Sequence, residues 1–474
     1  MRCTKIVATL GPSTSTPERI SLLIKAGLNV VRFNFSHGTH VEHAARIDMV
    51  RRISREMERP VAILQDLQGP KIRTGSLEQG RPVQLVAGQS LVLTTEPVLG
   101  TSEVVGTTYR DLPNDVRPRD RILLSDGLIE LQVVSRSNDE VVTEVIHGGM
   151  LKEHQGINLP KVRVSAPAVT DKDKEDLAFG LANDVDYVAI SFVRQARDVI
   201  EVKNLIKQAG KSIPVIAKIE RPEAIDVLPE ILAVTDGVMV ARGDLGVEMN
   251  PERVPIVQKQ IIDAANKMLI PVITATQMLE SMITNPRPTR AEASDVANAI
   301  IDGSDAVMLS GETAIGQYPI EAVQMMALIA DEIEASGRHG DHPAVPRWAI
   351  PDIQSTPRAI ANAACTIAKS LPVRAIAVLT QSGNSARLVS HYRPHVPIFA
   401  LTPVEETYRR MSLLWGVTSI KINIAERLDE LEHQIQYMMR EFGYIQRGDL
   451  IVLTGGHPIY QFGPTNFLKI LEIA

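Results

Sequence analysis

The chain predicts an α/β fold: a (β/α)8 barrel carrying an inserted all-β domain, followed by an open α/β domain. Three observations carry this. Eight short, mostly apolar runs alternate with helical patterns at the start and again from about 170 to 338. Residues 70–166 change texture completely. After residue 339 a second set of alternating strands and helices begins. Residues 1–69 and 167–338 together come close to the roughly 250 residues typical of such a barrel.

The barrel strands are read as KIVATL, VVRFNF, VAILQDL, YVAISF, VIAKIE, GVMVAR, PVITATQ and DAVMLS. Each is a short β-branched or apolar run bounded by turn residues, the pattern of strands buried on both faces. Helix starts have ordinary signals: Asn250-Pro251 reads as a cap, and Thr289 to Glu292 (TRAE) as a capping box. Between the third strand and its helix, PVQLV, SLVLTT, RILLSD, LIELQVV and EVVTEVI are separated by Gly, Asp and Asn. This β-barrel-like insert, 70–166, sits in a βα loop and so should hang over the barrel's C-terminal mouth as a lid. DHPAVPRW, 341–348, has linker character. RAIAVLT, VPIFALT, VTSIKI and DLIVLTG then supply the strands of the last domain, 339–474.

Composition narrows the function. Net charge is −6 with no basic block, which argues against a nucleic-acid polymer as partner. Two cysteines, Cys3 and Cys365, have no metal-type spacing and build no disulfide framework. No apolar stretch approaches the roughly 20 residues needed to span a membrane. KIVATLG begins almost at once, leaving no room for a signal peptide. A cytoplasmic protein with no membrane partner is the expectation, and it removes cell adhesion as a reading of Arg242-Gly243-Asp244.

Side chains two apart share a strand face. In VIAKIE, Lys218 and Glu220 therefore face one way, toward the barrel axis near its rim. The next strand ends at Asp244, and adjacent strands lie about 4.8 Å apart. Two carboxylates converging there repel unless a cation or proton sits between them. A hard ion, Mg²⁺ or Mn²⁺, suits such oxygen ligands. The plainer alternative is a Lys218–Glu220 pair with Asp244 capping the helix that follows.

In VRFNFSHG, Arg32, Asn34 and Ser36 share a face, with Phe33 and Phe35 opposite. An Arg at a barrel rim suits a phosphate through its planar fork. Asn34 and Ser36 offer neutral oxygens for a monovalent cation or a nucleotide. His37 stands out only through its neighbours. Thr274 and Thr276 repeat the two-residue spacing on the seventh strand, Thr276 nearer the rim. Ser310 reads as a strand end.

KIVATLGPST, NVVRFNFSHG, DLQGPKIRTG, VIAKIE, MVARGDLGVE and the run from Thr274 to Ala314 resemble the pyruvate kinase family, over essentially the whole chain. The resemblance implies phosphoryl transfer from phosphoenolpyruvate to ADP, giving pyruvate and ATP. It implies Arg32 and Lys218 on the phosphoryl group. Asn34, Phe35, Ser36, His37, Arg73 and Lys172 fall on the nucleotide side. Glu220 and Asp244 hold the divalent ion, and Gly243, Asp244 and Thr276 bind the substrate carboxylate. Thr276 with an ordered water is the candidate route for a proton to carbon.

The family's K⁺ pocket resembles Asn34, Ser36, Asp66 and the backbone of Leu67. Lys71 stands where K⁺-requiring members usually carry Glu, so its ammonium is expected to make K⁺ dispensable. In the last domain, VLTQSGNSARL resembles the family's effector loop. Thr380, Gln381, Ser382, Gly383, Asn384 and Ser385 read by themselves equally as an ordinary βα turn or a phosphate cradle; the resemblance implies a cradle for a phosphorylated activator, with TGGHP (454–458) placed to close over it. The resemblance also suggests a homotetramer. Two other classes stay open: a metal-dependent lyase or aldolase acting on pyruvate or phosphoenolpyruvate, and a non-catalytic sugar-phosphate sensor.

Overall fold

Eight parallel strands close into a barrel in the order in which the chain makes them: Lys5–Thr9, Val30–Asn34, Ala62–Asp66, Tyr187–Ile190, Val215–Ile219, Gly237–Ala241, Val272–Ala275 and Ala306–Leu309. The protein is seen in a computed structural model that describes residues 1–337, 355–423, 427–441, 443–458 and 463–474; the proposed linker 341–348 lies outside the described residues. Strand alternation divides the barrel's apolar residues into two cores. Val7, Val30, Leu64, Ala189, Ile216, Met239 and Met308 fill the interior. Val31, Phe33, Ile63, Ile219, Val240 and Val307 pack outward beneath the helices. The inward row of the fifth strand thus continues from Ile216 to Lys218 and then to Glu220, just past its end, which is the face the two-residue spacing predicts.

Thr289 opens the helix Arg290–Ile301 with the foreseen capping box: its Oγ1 accepts from the Glu292 N–H, and Glu292 accepts from the Thr289 N–H. Asn250 differs. It precedes a short 3₁₀ turn, Pro251–Arg253, but its side chain makes no cap bond and donates to Glu252 instead, 3.1 Å.

The insert leaves the barrel after the third strand. A six-stranded sheet is ordered Ile157–Asn158, Arg121–Leu124, Ile129–Arg136, Glu140–His147, Ser90–Thr94, Val104–Gly106. A second sheet pairs Val83–Leu85 with Gly149–Leu151. The insert has its own core around Leu85, Leu91, Ile122, Leu131 and Val145. Three of its strands and the one-turn helix Leu112–Asp115 are absent from the sequence reading; two or three residues are too few to show a period.

The last domain is a five-stranded sheet ordered Val417–Lys421, Ile398–Thr402, Val373–Leu379, Leu450–Gly455, Phe467–Glu472. Its final strand, antiparallel to Leu450–Gly455, is an addition to the four expected. This domain seals the barrel's N-terminal end: Leu413 joins the interior core, Tyr187 Oη donates to Arg410 O, and Lys5 Nζ donates to Val417 O, both at 2.7 Å. The C-terminal mouth is left to the insert. No helix among the described residues is long and apolar enough to cross a membrane.

Candidate active site

The strand ends gather charge at the barrel mouth. Asp66, on the third strand and 1% exposed, holds two cations at once. Arg32 Nε donates to its Oδ2 at 2.7 Å, and Lys218 Nζ lies 3.2 Å from its Oδ1. Arg32 also donates through Nη1 to Thr9 Oγ1, 2.9 Å; its Nη2 is spent on neither bond. Lys218 Nζ reaches Glu220 Oε1 at 2.8 Å and donates to Ser191 Oγ at 2.7 Å. Glu220 Oε2 accepts the Phe192 N–H, 2.6 Å. The Lys218–Glu220 pair of the plainer reading therefore exists, inside a larger network.

The charges set each other's protonation. Burial opposes the Lys218 ammonium, but Asp66 and Glu220 outweigh it, and its pKa rises above the ordinary lysine range. Burial would lift Asp66 too, yet Lys218 and Arg32 hold it below the usual value. Burial pushes Glu220 up to about 7; Lys218 opposes the rise and the charge of Asp244 adds to it.

Asp244 sits in the short helix Arg242–Glu248 that starts where the sixth strand stops. At the end of the adjacent strand, Thr276 has φ +66°, a left-handed conformation unusual for threonine. Strand alternation puts Ile273 and Ala275 in the barrel interior, so Thr276 by parity should face outward with Thr274. The backbone twist brings it to Gly243 instead. Thr276 Oγ1 accepts the Gly243 N–H at 2.7 Å and donates to Ala275 O at 2.6 Å. The Gly243 N–H assigned to the substrate carboxylate is thus already bonded. Thr274 packs against Ser304, 2.7 Å. Arg242 turns away from the mouth to the carbonyls of Ala275, Thr276 and Gln277 and to Asp295 at 2.6 Å. In this RGD the arginine is a brace and the aspartate belongs to the mouth. At Arg447-Gly448-Asp449 the same tripeptide forms a turn, with Gly448 at φ +86°.

Among the residues expected to meet the nucleotide, Asn34 Oδ1 accepts the Ser36 N–H at 3.1 Å, and the His37 N–H donates to Asn34 O at 3.2 Å. Lys172 Nζ bonds Phe35 O at 2.8 Å and Asp176 at 2.5 Å. Phe35 stacks on His43, ring centroids 4.2 Å apart. Burial lowers the His37 pKa, and the charges of Arg73, Lys71 and Arg32 lower it further. Arg73 donates to His154 O of the insert at 2.9 Å.

Two of the groups expected in the monovalent-cation pocket already have partners within the protein. Asp66 is engaged by Arg32 and Lys218, and Leu67 O accepts from Ser191 Oγ at 2.7 Å. Lys71 lines a cleft beneath the insert with Asp126, Asn158, Arg221, Asp244 and Glu248.

In the last domain the Gly383 N–H donates to Thr380 Oγ1 at 2.9 Å, and Gly383 itself has φ +83° before the helix Asn384–His391. Ser382 Oγ accepts the Asn384 N–H at 3.4 Å, Gln381 O accepts from Thr407 at 2.6 Å, and Ser385 meets Thr465 at 2.5 Å. Of the TGGHP stretch, His457 N–H bonds Asn466 at 2.7 Å.

Residues the sequence reading passed over include Ser191, Thr9 and Arg221. Ser191 had a usable signal: it follows Ala189 on the inward row of the fourth strand.

The donor chemistry fits a divalent ion. Glu220 and Asp244 are hard oxygen donors, and the charge of one raises the pKa of the other, a repulsion that a doubly charged ion relieves. Among the described residues no group of three or more His, Cys, Asp and Glu has metal-binding geometry, so the protein would supply these two carboxylates and leave the other positions to substrate and water.

Family models described as "Pyruvate kinase, barrel domain" and "Pyruvate kinase, alpha/beta domain" match residues 1–323 and 358–471. Pyruvate kinases of Staphylococcus aureus strains USA300 and NCTC 8325 are each 47% identical over 476 residues, covering 99% of this chain and 80% of theirs. The crystal structure of a pyruvate kinase from Cryptosporidium parvum superposes with a TM-score of 0.92 at 37% identity, covering 100% of this chain and 96% of that one. This chain belongs to the pyruvate kinase family and is a phosphotransferase.

Proposed function

We propose that the chain moves the phosphoryl group of phosphoenolpyruvate to ADP, in the cytoplasm, and that the barrel mouth is where this happens. The observation that carries the reading is the sharing of Asp66 by Arg32 and Lys218 beside Glu220. Phosphoryl transfer asks little covalent help from a protein and much alignment and charge neutralisation. Arg32, held at Nε and Nη1, presents its remaining donors to the phosphoryl oxygens. Lys218 keeps its proton throughout and stabilises the group as it migrates. Glu220 and Asp244 would hold a divalent ion, which would supply Lewis-acid charge when bound. Gly243, Asp244 and Thr276 border the place of the substrate's carboxylate end, where the Gly243 N–H would exchange its bond to Thr276 Oγ1 for one to the carboxylate. The backbone from Asn34 to His37, with Arg73 and Lys172, receives the nucleotide.

An oxygen of the ADP β-phosphate forms the new P–O bond while the bond to the enol oxygen breaks. The enolpyruvate left behind must then gain a proton at carbon. A threonine hydroxyl is too weak an acid to be its source. The Thr276 hydroxyl also already donates to Ala275 O, so its part is to hold an ordered water.

With phosphoenolpyruvate, ADP and Mg²⁺, pyruvate and ATP should appear in equal amounts, with none in the absence of ADP. Pyruvate released without ADP would favour a lyase, and no turnover with sugar-phosphate binding would favour a sensor.

The charge of Lys71 acts on His37, which we assign to the nucleotide side. K⁺ is accordingly dispensable: activity in tetramethylammonium buffer should stay within about twofold of that in K⁺, since an ammonium supplies the same unit charge. Lys71→Glu should create a K⁺ requirement. Collapse of the parent protein's activity in tetramethylammonium, with rescue by K⁺, would contradict this.

Thr380 to Ser385 form the cradle of a phosphorylated activator, its N–H groups and hydroxyls at a helix start suiting an anion. Ser382→Asp places a negative charge there and should abolish activation by any sugar phosphate that activates the parent, read as the ratio of rates with and without it. A homotetramer is the expected assembly, checked by light scattering.

A further inference from the structure

The chain returning from the insert to the barrel is held through its carbonyls by two barrel arginines. Arg221 Nη2 donates to Val162 O at 3.0 Å, and Arg194 donates through Nη1 to Val164 O at 2.5 Å and through Nη2 to Ala166 O at 2.8 Å. The three carbonyls are two residues apart, so one edge of an extended segment lies along both guanidinium groups. Arg221 reaches further. Its Nη1 pairs with Glu248 Oε1 at 3.0 Å, and the same oxygen accepts from Asn158 Nδ2 of the insert, also at 3.0 Å.

Glu248 is 2% exposed and closes the helix Arg242–Glu248. It stands one helical turn after Asp244, and both line the cleft under the insert. The insert approaches this helix a second time at Gly127, where an added Cβ would lie 3.9 Å from Val247. A buried carboxylate that accepts from the insert and pairs with the arginine holding the insert's return segment is not a solvated helix end.

We propose that Glu248 is a positioning residue: it locks the insert, through Asn158 and the Arg221-held return segment, to the helix that carries Asp244. Movement of the insert then moves Asp244, so the lid sets the geometry of a metal-holding carboxylate. The assignment of Asp244 to an ion rests on the function proposed above; the mechanical link does not.

Asn158→Ala changes only the insert side and touches neither substrate nor ion. In the metal-free protein it should speed amide exchange across residues 242–248. In direct titration it should raise the Mn²⁺ concentration for half-saturation by about tenfold, the scale of lost outer support at metal sites. Glu248→Ala should do both more strongly. Glu248→Gln keeps a hydrogen-bonding oxygen and should recover much of the loss, which a purely electrostatic role would not allow. Should Glu248→Ala fail to fold, Asn158→Ala decides. Parent-like exchange in 242–248 and parent-like Mn²⁺ binding in Asn158→Ala would overturn the proposal. Failure of the phosphotransfer reading would appear separately, as a parent protein that makes no pyruvate from phosphoenolpyruvate and ADP while the exchange coupling persists.

Discussion

Lys218→Met is expected to lower kcat by about 10³-fold, equivalent to about 4 kcal/mol of transition-state stabilisation, the loss typical when one preorganised donor is removed from developing charge. KM for phosphoenolpyruvate should change by less than about tenfold, because an interaction made mainly in the transition state governs kcat rather than ground-state binding. Arg32 stays in place through Asp66 and Thr9 and retains the phosphate contact assigned to it. Folding needs its own check. Stripping one partner from a buried ion pair costs about 3–5 kcal/mol when the other charge is left uncompensated. Here Arg32 still compensates Asp66, and Glu220, already pushed up to about 7, can take a proton. The variant should therefore fold, with a lower melting temperature. Parent-like turnover in a folded Lys218→Met protein would remove Lys218 from the mechanism.

The second large effect separates the two carboxylates. Asp244→Asn and Glu220→Gln should each weaken divalent-ion affinity by about 100-fold, since both ligand charge and ligand support are lost. Their kinetics should differ. Among its bonds Lys218 counts Glu220 but not Asp244. Saturating Mn²⁺ should therefore restore much of the kcat of Asp244→Asn, leaving an elevated metal requirement. Glu220→Gln also loosens the ammonium that serves the phosphoryl group, and kcat should stay low however much metal is added. Equal recovery in both variants would show that Glu220 acts on the ion alone.

Much of this site was legible because strand alternation is rigid. Lys218 and Glu220 lie on the inward row, and the two phenylalanines between Arg32 and Ser36 pack outward as their spacing requires. Alternation also explains what was missed. Thr276 sits on the wrong parity for the mouth and reaches Gly243 only through a left-handed backbone, which no side-chain pattern announces. The role of Arg242 is not legible in its tripeptide: its fork is spent on loop carbonyls and Asp295. Glu248 and Arg221 read as ordinary polar residues, because the insert that buries them lies far away in sequence. Spacing alone does not show that the Asp66 carboxylate is shared by Arg32 and Lys218, or that Lys71 lines the same cleft as Asp244. The barrel strands were clear from short apolar runs, whereas the insert's shortest strands and the antiparallel Phe467–Glu472 were not.

Whether two carboxylates from neighbouring strand ends grip one divalent ion is settled most directly by locating Mn²⁺ through its anomalous scattering in crystals grown with phosphoenolpyruvate. A single peak at the barrel mouth, bonded to both Glu220 and Asp244, is the predicted result. A peak bonded to only one of them, or an ion held elsewhere, would contradict it.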